Sequence, residues 1–108
     1  MNEPARTYAA ALFDAACENG TAAAVATAFA DFAALMEENP AYPAFLNSPA
    51  VSVREREAAI DEAFSGRMPA ELVSFLKILC RSDAMMLYRD CEKEYRLLYQ
   101  QLARFSVA

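Results

Sequence analysis

The residues able to do chemistry in this 108-residue chain are three cysteines and several acidic pairs, and their spacing serves neither chemistry well. Cys17, Cys80 and Cys91 are far apart, an odd number, with no short zinc-knuckle spacing and no histidine anywhere to complete a metal site. They read as reduced thiols acting as small buried hydrophobes. Glu37-Glu38, Asp61-Glu62 and Glu92 could serve acid–base catalysis, but they fall on polar helix faces without a histidine or a positioned nucleophile. They read as solvated surface. The expectation is no catalytic residue, no metal and no cofactor.

The elements around these residues are helical. Hydrophobic residues make up 56 % of the chain and charged residues 23 %, which suits one globular domain. No stretch alternates with period two, so no strand is expected. Pro4 and Gly20 bracket a first helix at about 4–18. Thr21 is placed to cap a second, with Val25, Phe29, Phe32, Leu35 and Met36 on one face and Asn39-Pro40 as its stop. A short third helix holds Phe45 and Leu46. Ser52 and Glu55 form a capping-box pattern for a fourth, carrying Ala59, Ile60, Ala63 and Phe64 and closed by Gly66. Pro69 opens a fifth at about 69–81. Ser82 or Asp83 caps a sixth at about 84–104, where Tyr88, Cys91, Tyr95, Leu98, Leu102 and Phe105 form a narrow seam. The expected fold is all-α, a six-helix bundle.

Charge excludes some partners. The net charge is −5, with ten basic residues scattered among fifteen acidic ones, which argues against nucleic acid and against adhesion to anionic lipid. No apolar run approaches the ~20 residues of a membrane span, and the N-terminus is not a secretory signal.

The first and fifth helices are unusually apolar. On the first, Tyr8, Ala11, Leu12 and Ala15 form one arc, and Ala9, Phe13, Ala16 and Cys17 form a second beside it. On the fifth, the arc of Leu72, Val73, Phe75, Leu76, Ile78, Leu79 and Cys80 spans roughly 220°, about twice the minimum stripe of a surface helix. Two explanations are open: both helices are surrounded by the others, or each leaves one face at the surface to make a groove for a partner's amphipathic helix.

The opening ARTYAAALFDAACENG resembles the start of the delta subunit of F-type ATP synthases, the oligomycin-sensitivity-conferring protein family. Ala5, Arg6, Tyr8, Ala9, Ala11, Leu12, Phe13 and Ala16 match the family pattern, with Thr7 in place of its usual proline. FLNSPAVSVREREAAIDEAF and ELVSFLKIL resemble later segments of the family in the same order, so the resemblance runs over about 4–104. Ser82-Asp83-Ala84 replaces a frequent Asn-Gly-Arg turn, and Val25 stands where an aromatic sometimes occurs.

The resemblance implies a non-catalytic stator component. Residues 1–105 would be the N-terminal domain, with the usual C-terminal domain absent from this chain. The domain would grip the N-terminal helix of an alpha subunit between helices 1 and 5, while the absent domain holds the b subunits. Its place would be peripheral, at the cytoplasmic face of a bacterial inner membrane, since the start shows no transit peptide. The implied groove has Tyr8, Ala11, Leu12 and Ala15 on one wall and Phe75, Ile78 and Leu79 on the other. Phe13, Phe32, Ile60, Phe64, Leu76 and Leu87 are assigned to the core. Self-association of the isolated domain is left open, as are a free-standing helical adaptor and a helix-turn-helix DNA binder formed by helix 4, Ser65-Gly66 and helix 5.

Overall fold

The computed structural model describes residues 3–106, with side chains through residue 104. Six α-helices follow one another: α1 (Glu3–Glu18), α2 (Ala22–Glu38), α3 (Ala41–Leu46), α4 (Val53–Phe64), α5 (Ala70–Arg81) and α6 (Tyr88–Ser106), with a 3₁₀ turn at Met85–Leu87 leading into the last. The architecture is the expected all-α bundle, with no strand among the described residues.

Local chemistry sets most boundaries. Gly20 takes φ +69°, and two backbone bonds end α1: Gly20 N–H to the Cys17 carbonyl at 3.2 Å and Thr21 N–H to the Ala16 carbonyl at 2.8 Å. This is a Schellman motif, which needs a left-handed residue just past the helix. At α4 the Ser52 hydroxyl accepts from the Glu55 N–H at 3.1 Å, which is the serine half of the expected capping box; the return bond from the Ser52 N–H to the Glu55 carboxylate is not made.

Two cap expectations are corrected. The Thr21 side chain makes no cap bond to α2; its hydroxyl turns back and donates to the Ala16 carbonyl at 3.3 Å. The Schellman turn has already fixed Thr21 against the end of α1, so its side chain serves that helix. Neither Ser82 nor Asp83 caps α6. Ser82 ends α5, and Asp83 takes φ +54° in a second Schellman turn, with Asp83 N–H to the Cys80 carbonyl at 3.2 Å and Ala84 N–H to the Leu79 carbonyl at 2.8 Å. Asp is among the few non-glycine residues that tolerate this conformation.

The core joins α2, α5 and α6 through aromatic rings. Phe29 packs edge-on to Phe75 at 5.7 Å and to Tyr95 at 6.3 Å; Phe32 meets Phe64 at 5.4 Å and Tyr88 at 5.9 Å. These separations suit edge-to-face attraction. The Tyr95 hydroxyl donates to the Ala22 carbonyl at 2.8 Å and so ties α6 to the first turn of α2. On α1 the buried stripe is Ala5, Ala9, Leu12 and Ala16, steps of three and four. Its short side chains allow α6, the most extensive neighbour of α1, to lie close.

Phe32, Ile60, Phe64 and Leu76 are buried as assigned, whereas Phe13 and Leu87 are half-buried and pack against the core from outside. The seam on α6 divides. Tyr88, Cys91 and Tyr95 are inside this protein's own core, Leu98 is half-buried, and Leu102 is exposed; Phe105 lies outside the described side chains. Glu92 is not solvated as expected. It is buried, with the Arg96 guanidinium 3.9 Å away, because it stands four residues after Tyr88 and three before Tyr95, on the edge of the same stripe. Cys17 is exposed rather than buried, since it stands one residue, roughly 100°, off the α1 stripe.

The buried thiols and phenol predict alkaline instability. Burial pushes Cys80 from 9.0 up to about 11, Cys91 from 9.0 to about 12, and Tyr95 from 10.0 to about 12. Each proton is held more tightly in the folded chain than in the unfolded one. The stability linked to these groups is therefore fully present below about pH 9 and is lost as pH rises through about 11 to 12. Melting curves across that range are expected to show Tm falling steadily, and less steeply in Tyr95→Phe. A flat profile between pH 9 and 11 would contradict this.

Candidate functional site

The apolar arcs of α1 and α5 meet in an open trough of about 310 Å³. Ala11, Leu12 and Ala15 line it from α1, and Glu71, Ser74, Phe75 and Ile78 from α5. Helical spacing puts each set on one face: 11, 12 and 15 on the first, and 71, 74, 75 and 78 on the second. Leu12 at 3 % exposure and Phe75 at 5 % form a floor continuous with the core, while Ala11 is exposed and Ile78 is 46 % exposed. An isoleucine so open on a helix whose Leu72, Leu76 and Leu79 are fully buried marks an apolar face left over after the core is filled.

The other groove positions fall beside the trough. Tyr8 is half-buried, its ring edge-on to Phe75 with centroids 6.4 Å apart, so it braces the floor. Leu79 is fully buried and supports α5 from within the core. Glu71 and Ser74 are the lining residues that sequence reasoning missed. The signal was available, because 71, 74, 75 and 78 follow the same three- and four-residue steps that flagged Phe75 and Ile78.

Other concavities are less suited to an apolar ligand. One of about 330 Å³ is lined by Asp61, Ser65 and Lys77, with a 2.7 Å ion pair between Lys77 and Asp61. Another, about 140 Å³, lies beside Phe32, Leu35 and Phe64 and carries Asp31 and Arg67. The trough is larger than this second concavity.

The position of α5 depends on a residue absent from the sequence expectations. Arg56 on α4 is buried, and its guanidinium reaches the ends of three segments. Nε donates to the Val51 carbonyl at 3.1 Å; Nη1 donates to the Cys80 carbonyl at 3.2 Å, to the Leu46 carbonyl at 3.4 Å and to Asp83 Oδ1 at 3.1 Å. Leu46 and Cys80 stand in the last turns of α3 and α5, where the carbonyls carry partial negative charge, and the Cys80 carbonyl takes this bond in addition to the one from the Asp83 N–H. One buried cation therefore ties the C-terminal end of α5 to α4 and holds the face that α5 offers to the trough.

Among the residues lining the trough, Glu71 and Ser74 are the polar side chains. Asp61 and Glu37 engage in ion pairs with Lys77 and Arg89, and among the described residues no group of three acidic, cysteine or histidine side chains is placed to hold a metal. No described helix is long and apolar enough to cross a membrane. The trough offers shape and apolar surface, which is the chemistry of docking.

Comparison with known proteins identifies the family of the chain. The family model of the ATP synthase delta (OSCP) subunit matches residues 5–108. ATP synthase subunit delta of Acetivibrio thermocellus is 32 % identical over 88 residues, covering 82 % of this chain and 49 % of that protein. The subunit delta of Alkaliphilus oremlandii is 29 % identical over 93 residues, covering 86 % and 52 %. Mitochondrial ATP synthase subunit 5 of Candida glabrata is 23 % identical over 94 residues, covering 85 % and 45 %. The chain spans about half the length of the curated relatives it matches.

Proposed function

We propose, from the premise that this chain belongs to the ATP synthase delta (OSCP) subunit family, that it is the head-binding half of a non-catalytic stator subunit. Family membership sets aside the unrelated adaptor and the DNA-binding reading. In our reading the bundle holds the N-terminal helix of an alpha subunit in the trough between α1 and α5. A further domain, of the kind that makes up the rest of the relatives' length, engages the b subunits. The assembly then sits peripherally at the membrane, on the cytoplasmic face in a bacterial cell.

The open apolar trough beside a filled core is the observation that carries this reading. A bound helix would set its aliphatic side chains over Leu12 and Phe75 and against Ile78. Ala11 and Ala15 would let the two backbones approach. Such a contact is of modest area, below the ~1,200 Å² of stable two-protein interfaces, so micromolar affinity is expected for the domain alone. Simultaneous stalk contacts would raise the effective concentration in the whole machine.

Calorimetric titration with a peptide copying the alpha N-terminus tests the reading. Saturable one-to-one binding with a negative heat-capacity change is the expected result, because apolar surface leaves water. A folded chain that gives no heat and no shift in Tm with excess peptide would refute it.

A further inference from the structure

We propose, resting on the trough as a helix-binding site, that Glu71 is its specificity residue and selects a helix carrying a lysine or arginine on its docking face. Glu71 is the one charged side chain among the residues lining the trough. Glu37, Glu57, Asp61, Asp83, Glu92 and Glu94 each pair with an arginine or lysine at 2.7–3.9 Å. Glu71 stands in none of these pairs, and among the described residues no hydrogen-bond donor reaches its carboxylate.

Its place in the first turn of α5 is favourable for a negative charge, because helix N-termini carry partial positive charge. That accounts for an acid there, but the dipole does not compensate for water lost when a helix covers the trough. A carboxylate so covered loses affinity unless a cation replaces its water, and a bound helix bearing an acid at the same point is repelled. Glu71 therefore sorts helices that share the same aliphatic face, which the uncharged remainder of the lining does not do.

Spacing sharpens the expectation. Glu71 and Ile78 are two turns apart, about 10 Å along α5. A helix running along the trough carries its basic residue one to two turns from the aliphatic side chain that packs on Ile78, depending on how far the basic stem extends.

Because the chain's net charge of −5 attracts any basic peptide, the test must separate position from charge. Isomeric amphipathic peptides of identical composition serve, with one lysine either on the docking face at one or other end of the aliphatic stripe, or on the outer face. Wild-type chain is expected to bind the better inward isomer about fivefold more tightly than the outward one. Glu71→Gln should erase the difference, and Glu71→Lys should transfer the preference to a peptide with glutamate at the same position. Equal binding of both isomers to wild type, at otherwise intact affinity, would overturn the role of Glu71 and leave the trough reading standing. If no peptide binds the folded chain, including the copy of the alpha N-terminus, both fall together.

Discussion

Arg56→Ala is expected to destabilise the bundle by about 3–5 kcal/mol, the usual cost of removing one partner from a buried charged network. The alanine leaves the Leu46 and Val51 carbonyls without their side-chain donor, removes the second donor of the Cys80 carbonyl, and leaves Asp83 without its cation. Against a typical domain stability of about 5–15 kcal/mol, this loss is large enough to lower Tm by more than about 10 °C. Arg56→Lys should recover only part of it. A lysine keeps the charge but presents one nitrogen, where the guanidinium divides two between Val51 on one side and Leu46, Cys80 and Asp83 on the other. Asp83→Asn should cost far less, about 1 kcal/mol or below, because the Asp83 side chain is 70 % exposed and asparagine also tolerates its backbone. Denaturant melts of the three variants check this order. An Arg56→Ala chain within 1 kcal/mol of wild type would mean the hub does not hold α5.

Ala11→Asp is expected to act in the opposite sense, sparing the fold and removing the binding. Ala11 is exposed on α1, so added atoms enter the trough rather than the core, and stability should stay within about 0.5 kcal/mol. A docked helix would then bury an unpaired carboxylate over the apolar floor of Leu12 and Phe75. Affinity for the alpha N-terminal peptide should fall by about 2–3 kcal/mol, thirty- to a hundredfold or more. Ala23→Asp, at an exposed position on α2, adds the same charge away from the trough and should bind almost as wild type does. Circular dichroism and calorimetry on both variants separate the outcomes. Unchanged binding would remove Ala11 from the wall, and loss of helicity would place it in the core.

The parts of this protein legible in its sequence are those fixed by local chemistry. Pro4, Gly20, Ser52 and Gly66 act within a turn of themselves, so both ends of α1 and of α4 follow from neighbours alone. Asp83 shows the limit. Before a helix an aspartate reads as a cap, and only the arrival of α4 with Arg56 shows why it ends α5 instead. Arg56 itself looks like Arg54, the other arginine of VREREAAI. Its distinction is that 56, 60 and 64 share one face, so the inner stripe of Ile60 and Phe64 continues through a cation.

For the trough, the sequence marked the two helices correctly as unusually apolar but could not apportion their faces. Ile78 and Leu79 are adjacent aliphatics; one is 46 % exposed and the other fully buried. The roughly 100° between them decides this, and the rotation of α5 is set by long-range contacts such as Arg56 to Cys80. Glu92 makes the same point on α6, where an acidic residue is drawn inward by Tyr88 and Tyr95 on either side of it.

Residue-resolved NMR of the labelled chain during titration with the alpha N-terminal peptide tests the central claim most directly. The account predicts saturable shifts concentrated on Ala11, Ala15, Glu71, Ser74 and Ile78, with Phe32, Leu35 and Arg67 on another side of the bundle unmoved. Shifts gathered at that other side, or spread without saturation while the trough signals stay still, would contradict it.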